Sequence, residues 1–161
     1  MQREYVAFVE GRAPNRAGTW RHRLQLSHDQ MRQEVAPPGK AGSGPGAQEA
    51  VTHYEVVAEY SLAGGKRFAS QLRLRLETGL KHQIRVQAAQ AGLPLIGDRT
   101  YNPNWRPVGG AAHGLEFSRQ ALHSELLTLD HPQIPGKRMT WRADLPKDLR
   151  QLEAALRQGK I

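Results

Sequence analysis

The chain has 161 residues, no cysteine, and 23 Lys plus Arg against 15 Asp plus Glu, for a formal charge of +8. This is about one domain's worth of chain, able to bury roughly two-thirds of its unfolded surface, so a single domain over 1–161 is expected. The lack of thiols excludes a disulfide framework and a thiolate metal site, no apolar run approaches the ~18 residues of a membrane span, and the basic balance favours a polyanionic partner such as nucleic acid.

In chain order the pattern is rich in strands. Tyr5 to Val9 is a β-favouring run that ends at Glu10-Gly11. Trp20 to Leu26 and Met31 to Val35 are further strand candidates, separated by the polar turn Ser27-His28-Asp29-Gln30. Residues 36–48 are dense in Pro, Gly, Ala and Ser and predict a mobile hairpin loop. Val51 to Tyr60 alternates, with Tyr54, Val56, Ala58 and Tyr60 on one face and His53, Glu55 and Glu59 on the other. Leu72, Leu74 and Leu76 alternate with Arg73 and Arg75, giving a strand with one apolar and one cationic face. The intervening Gly64-Gly65 pair supplies the positive φ angles of a tight hairpin turn.

Helical spacing follows. Leu80, Ile84, Ala88 and Ala91 recur at four, four and three, with Thr78 as N-cap and Gly92 as the stop, which puts Lys81 and Arg85 one turn apart on one face. Pro94 to Ile96 is extended, and Gly97 to Ala112 is a loop. Ala121 to Leu129 and Arg138 to Ala143 return to strand pattern, and Pro146 to Gln158 is an amphipathic helix with Leu149, Leu152 and Leu156 on one face. Met1 to Gly11 lacks the apolar core of a signal peptide, so a soluble, cytoplasmic protein without membrane association is expected.

The most informative segment is Thr78-Gly79-Leu80-Lys81-His82-Gln83-Ile84-Arg85, followed by Gly97-Asp98 and Tyr101. It resembles the Thr-Gly-Arg-x-His-Gln-Ile-Arg signature of the RluA-type pseudouridine synthases, which isomerise uridine within RNA. Arg3 to Gly11 is similar to that family's Lys-x-Tyr-x-Ala-x-Val-x-Gly strand, Glu49 to Tyr54 to its Ala-x-Thr-x-Tyr strand, and Gly92 to Tyr101 to its Gly-x-Pro-x-x-Gly-Asp-x-x-Tyr loop. Ala121-Leu122-His123-Ser124 and His131-Pro132 resemble its late Leu-His-Ala and His-Pro elements. Order and spacing agree over most of the chain.

The resemblance implies an α+β fold, a mixed, mainly antiparallel sheet with flanking helices, and a cofactor-free reaction on ribosomal or transfer RNA. It gives Tyr5 the role of stacking on the base and Arg85 that of pairing with a nucleophilic aspartate; on periodicity alone they are a strand aromatic and a helix charge. A guanidinium beside a carboxylate keeps it ionised and oriented, and aromatic faces hold extruded bases. Arg73, Arg75, Lys81, His82 and Gln83 are then candidate RNA contacts, and Ile84 and Leu122 pack the pocket. No metal-ligand set is apparent.

Two departures stand out. Leu80 occupies the usual arginine position, where Lys81 could reach a similar phosphate. The family's His-Arg-Leu-Asp segment, which carries the nucleophile upstream of the Lys-x-Tyr strand, has no counterpart. His22-Arg23-Leu24 is followed by Gln25 and reads as ordinary strand, Asp98 reads as a loop-shaping carboxylate, and Asp29 belongs to a turn. The expectation is an N-terminally incomplete catalytic domain that is inactive alone, with a non-catalytic RNA-binding module, or half of a split enzyme completed in trans, as the alternatives.

Overall fold

The computed structural model describes residues 1–37, 46–110 and 115–161, so most of the expected 36–48 loop lies outside the described residues. Strands β1 (Gln2–Glu10), β2 (Ala17–Leu26), β3 (Gln33–Val35), β4 (Gln48–Leu62), β5 (Arg67–Leu76), β8 (Leu122–Asp130) and β9 (Arg138–Arg142) form one sheet in the order β3-β2-β4-β5-β1-β8-β9. Every pairing in it is antiparallel. Two short strands, β6 (Val108–Gly110) and β7 (Leu115–Phe117), make a separate ribbon, the first of them inside the Gly97 to Ala112 stretch expected to be loop. Helix α1 (Gln83–Gln90) covers one sheet face, and α2 (Lys147–Arg157) with the ribbon covers the other.

Central position explains the composition of β1. Ala7 and Val9 pack under α1 while Phe8 points to the α2 side, and all three have no exposed surface. A strand covered on both faces needs consecutive apolar residues, which Val6 to Val9 supply. Helix α2 buries Leu149, Leu152 and Leu156, at about 1.5–3 kcal/mol each, and has Asp148 in its first turn and Arg157 in its last, each favourable to the helix dipole.

The β4–β5 hairpin forms as the Gly-Gly pair predicts, with φ of +66° at Gly64 and +89° at Gly65. The expected single apolar face of β4 does not hold along its length. A bulge at Val57 shifts the register between Val56, which pairs with Leu72, and Ala58, which pairs with Gln71. Tyr54 and Val56 therefore face α1, whereas Ala58, Tyr60 and Leu62 pack on the α2 side. One extra residue inverts the alternation, and Val57 itself is left exposed.

The start of α1 is also corrected. His82, in the left-handed region at φ 54°, precedes the first helical residue, and Thr78 is not the cap. Thr78 instead accepts the Val51 N–H and donates to Gln83 Oε1, which also accepts the Leu80 N–H. Lys81 thus lies in the turn, not one helical turn from Arg85 on a shared face. The C-terminal stop is as expected, with Gly92 at φ +73°.

Candidate functional site

On the α1 side of the sheet a cavity of about 270 Å³ opens beside the turn into α1. Tyr5 of β1, Leu76 of β5, Leu80 and His82 of the turn, Gln83, Ile84 and Arg85 of α1, and Gln120 and Leu122 at the entry to β8 line it. Three stretches far apart in the chain converge there. The lining combines apolar side chains, an aromatic ring and a guanidinium, which suits a flat heterocycle with polar edges.

Arg85 is held rigidly. Its Nε donates to Asp98 Oδ2 at 2.8 Å and its Nη2 to Asp98 Oδ1 at 2.7 Å, and the side chains are 13% and 0% exposed. Oδ1 also accepts the Thr100 and Tyr101 N–H groups, so Asp98 both shapes its loop and aims the arginine. Burial pushes the Asp98 carboxyl up, but the Arg85 hydrogen bonds and charge and the two backbone donors together hold it below the ordinary carboxylate value. The bond to Asp98 raises the already high Arg85 value. Asp98 occupies the side-on fork of the guanidinium, which leaves Nη1 for a second acceptor.

Gly97 makes this loop possible. Its φ is +75°, and a Cβ there would collide with the Arg119 carbonyl. Arg119 in turn donates from Nη1 to the Leu122 carbonyl at 3.0 Å and forms a two-pronged pair with Asp148 of α2. The cavity wall at Gln120 and Leu122 is thereby tied to the terminal helix.

His82 Nδ1 lies 3.0 Å from Tyr101 Oη, which accepts the Gln33 N–H at 2.9 Å. One of the two groups supplies the shared hydrogen, and where it is the phenol the imidazole carries its own proton on Nε2. Burial, reinforced by the Arg85 and Lys81 charges, lowers the His82 pKa despite the opposing pull of Asp98, which favours the neutral ring.

The structure brings Tyr5, Ile84, Arg85, Leu122, His82 and Gln83 to one cavity and leaves Lys81 exposed in the same turn, between Leu80 and His82. Gln83, expected as an RNA contact, has a scaffold's bonding instead. Its Nε2 donates to the Val51 carbonyl and Thr52 Oγ1, and its Oε1 is used by Thr78 and Leu80, which exhausts the amide. Arg73 and Arg75 are not brought to the cavity. The inward turn of Leu72 and Leu74 sends them to the opposite sheet face, beside Glu4, His53 and Glu55. There Arg73 approaches Glu55 at 3.5 Å.

His22 and Gln25 lie on β2, outside the cavity lining, with Gln25 bonded to Glu34. Asp29 braces its own turn through the Met31 N–H. No carboxylate lines the cavity among the described residues. Sequence reasoning missed the pairing of Asp98 with Arg85 and the roles of Tyr101 and Arg119. The Gly-Asp-x-x-Tyr spacing signalled the first two, and no local pattern singles out Arg119. Among the described residues no helix is long and apolar enough to cross a membrane.

The family model described as RNA pseudouridylate synthase matches residues 1–90. Ribosomal large subunit pseudouridine synthase D of Pasteurella multocida (strain Pm70) is 44% identical over 118 residues, covering 70% of this chain and 34% of that protein. The protein of the same name from Escherichia coli (strain K12) is 42% identical over the same length and shares. The chain spans about a third of the length of these curated relatives. Human RNA Pseudouridylate Synthase Domain Containing 4 superposes with a TM-score of 0.72 at 22% identity, covering 97% of this chain and 62% of that one. Human RNA Pseudouridylate Synthase Domain Containing 1 gives 0.66 at 22% identity, covering 97% and 65%. At that identity the likeness speaks for the α+β fold.

Proposed function

The chain belongs to the RNA pseudouridylate synthase family, and from that premise we propose that the cavity between Tyr5 and Arg85 is the uridine pocket of an RluA-type enzyme that converts uridine to pseudouridine in RNA. The convergence of Tyr5, Ile84, Arg85 and Leu122 on one cavity from separated segments carries this reading. Ribosomal RNA, the substrate class in the relatives' names, is the first candidate, and transfer RNA the second. The setting is cytoplasmic.

Isomerisation breaks the bond from ribose C1′ to uracil N1, turns the base in place, joins C1′ to C5, releases the C5 proton and places a proton on N1. Atoms and electrons then balance without a cofactor. Tyr5 offers a ring face to the extruded base while Leu76, Ile84 and Leu122 exclude water around it. Arg85, fixed by Asp98, presents its remaining N–H groups to the nucleophilic carboxylate and keeps it ionised. His82 supplies a neutral donor and Lys81 a charge for the RNA backbone. Arg73 and Arg75, on the other face, contribute to RNA binding only where the RNA wraps the sheet.

In this reading the carboxylate comes from a segment outside these 161 residues, on the same polypeptide or in trans, and the 161 residues alone bind RNA without turnover. Tritium release from RNA carrying 5-tritiated uridine tests this, and release by the isolated chain overturns it. The absence of a cavity-lining carboxylate among the described residues also favours a second reading, a non-catalytic RNA-binding module of the same fold. Addition of a His-Arg-Leu-Asp segment from a relative separates the two: restored release supports the enzyme, and persistent silence with intact RNA binding supports the module.

A further inference from the structure

Arg3 has no part in the chemistry above, yet its surroundings are specific. Its side chain is half-buried on the sheet face that also carries Tyr5, two residues further along β1 and so about 6.6 Å away. Its guanidinium lies directly over Gly79, where a Cβ would collide with Nη1, Nη2 and Cζ. The glycine of the Thr78-Gly79 turn is thus explained by close approach: its φ is not in the left-handed region, and the space is filled by the arginine.

Among the described residues Arg3 makes no side-chain hydrogen bond and no ion pair. The carboxylates nearest in sequence to Arg3 and to Gly79 are engaged elsewhere, Glu4 with Gln2 at 2.6 Å and Glu77 with His53. A half-buried cation with five donors and no acceptor is a poor structural element and a good anion receptor. Lys81, exposed two residues after Gly79, adds a second positive charge to the same turn.

We infer that Arg3 grips the RNA phosphate adjacent to the uridine held on Tyr5, and that Gly79 exists to seat its guanidinium. The inference deepens the proposed uridine pocket and rests on it. The ligand is a phosphodiester, and the contact fixes the register of the strand while Tyr5 takes the base.

The test uses fluorescence anisotropy of the full 161-residue chain with a short RNA containing one uridine in a loop, at several salt concentrations. Arg3→Gln is expected to bind about tenfold more weakly and to lose roughly 0.7–0.9 from the salt slope, while Arg3→Lys retains the slope. Gly79→Ala displaces the far end of a flexible side chain and is expected to reproduce Arg3→Gln without loss of thermal stability. A methylphosphonate at the linkage adjacent to the uridine weakens the wild type about tenfold and Arg3→Gln no further. Binding by Arg3→Gln within twofold of wild type at unchanged slope overturns the inference, as does a coupled phosphate several nucleotides away. The pocket fails separately: sensitivity to Arg3→Gln with indifference to Tyr5→Ala leaves a phosphate contact but refutes its placement beside a bound base.

Discussion

Asp98→Asn isolates the electrostatic core of the site. The amide keeps the shape and one acceptor oxygen for the Thr100 and Tyr101 N–H groups, but it turns N–H donors toward Arg85 Nε and removes the negative charge. Asp98 is wholly buried and Arg85 nearly so, which makes this a broken buried pair at a cost of about 3–5 kcal/mol. At this chain length that corresponds to a Tm lower by roughly 6–20 °C. The sign with pH follows from the depressed carboxyl. Its stabilisation is fully present above the unfolded value near 3.8 and is lost as pH falls through the lower folded value. The gap between wild type and Asp98→Asn in urea denaturation should therefore be constant from pH 7 to about 5 and close below about 4. Arg85→Met with Asp98→Asn should cost less than the two single changes added together. A loss under about 1 kcal/mol at pH 7, or strict additivity, refutes the view that Asp98 holds Arg85 in place.

Three further outcomes can be measured directly. Tyr5→Ala should weaken binding of uridine-containing RNA by about 1–3 kcal/mol in anisotropy titrations and Tyr5→Phe should not, because the stacking face and not the hydroxyl carries the contact. Gln83→Ala should lower chemical stability by about 2–3 kcal/mol, since Thr78, Leu80, Val51 and Thr52 lose a shared partner; a change under 0.5 kcal/mol, on the order of an ordinary surface substitution, removes the scaffold assignment. Gly97→Ala should unfold the chain or abolish its cooperative melt, because a Cβ meets the Arg119 carbonyl at a positive φ; a wild-type melting curve contradicts it.

What could be read in the sequence was whatever depends on local periodicity or on residues with one conformational use. The Leu72/Arg73 alternation assigned a strand with an apolar and a cationic face, Gly64-Gly65 the hairpin, Gly92 the helix stop, and Leu149, Leu152 and Leu156 the buried stripe of α2. The signature residues by themselves also resemble those of the RNA pseudouridylate synthase family. Tertiary structure decided what depends on partners. The alternation Tyr54, Val56, Ala58, Tyr60 runs unbroken through Val57, and only pairing with β5 inserts the bulge that moves Ala58 and Tyr60 to the other face. Thr78 has the chemistry of an N-cap, but Gln83 and Val51 claim its hydroxyl, so α1 begins later. Arg73, Arg75 and Lys81 look like one basic cluster along the chain, yet strand pleating and the following turn place the first two on the opposite sheet face from the cavity. Local sequence fixes which conformation a segment prefers, whereas the three-dimensional neighbours fix which groups are spent on the scaffold and which remain free to bind.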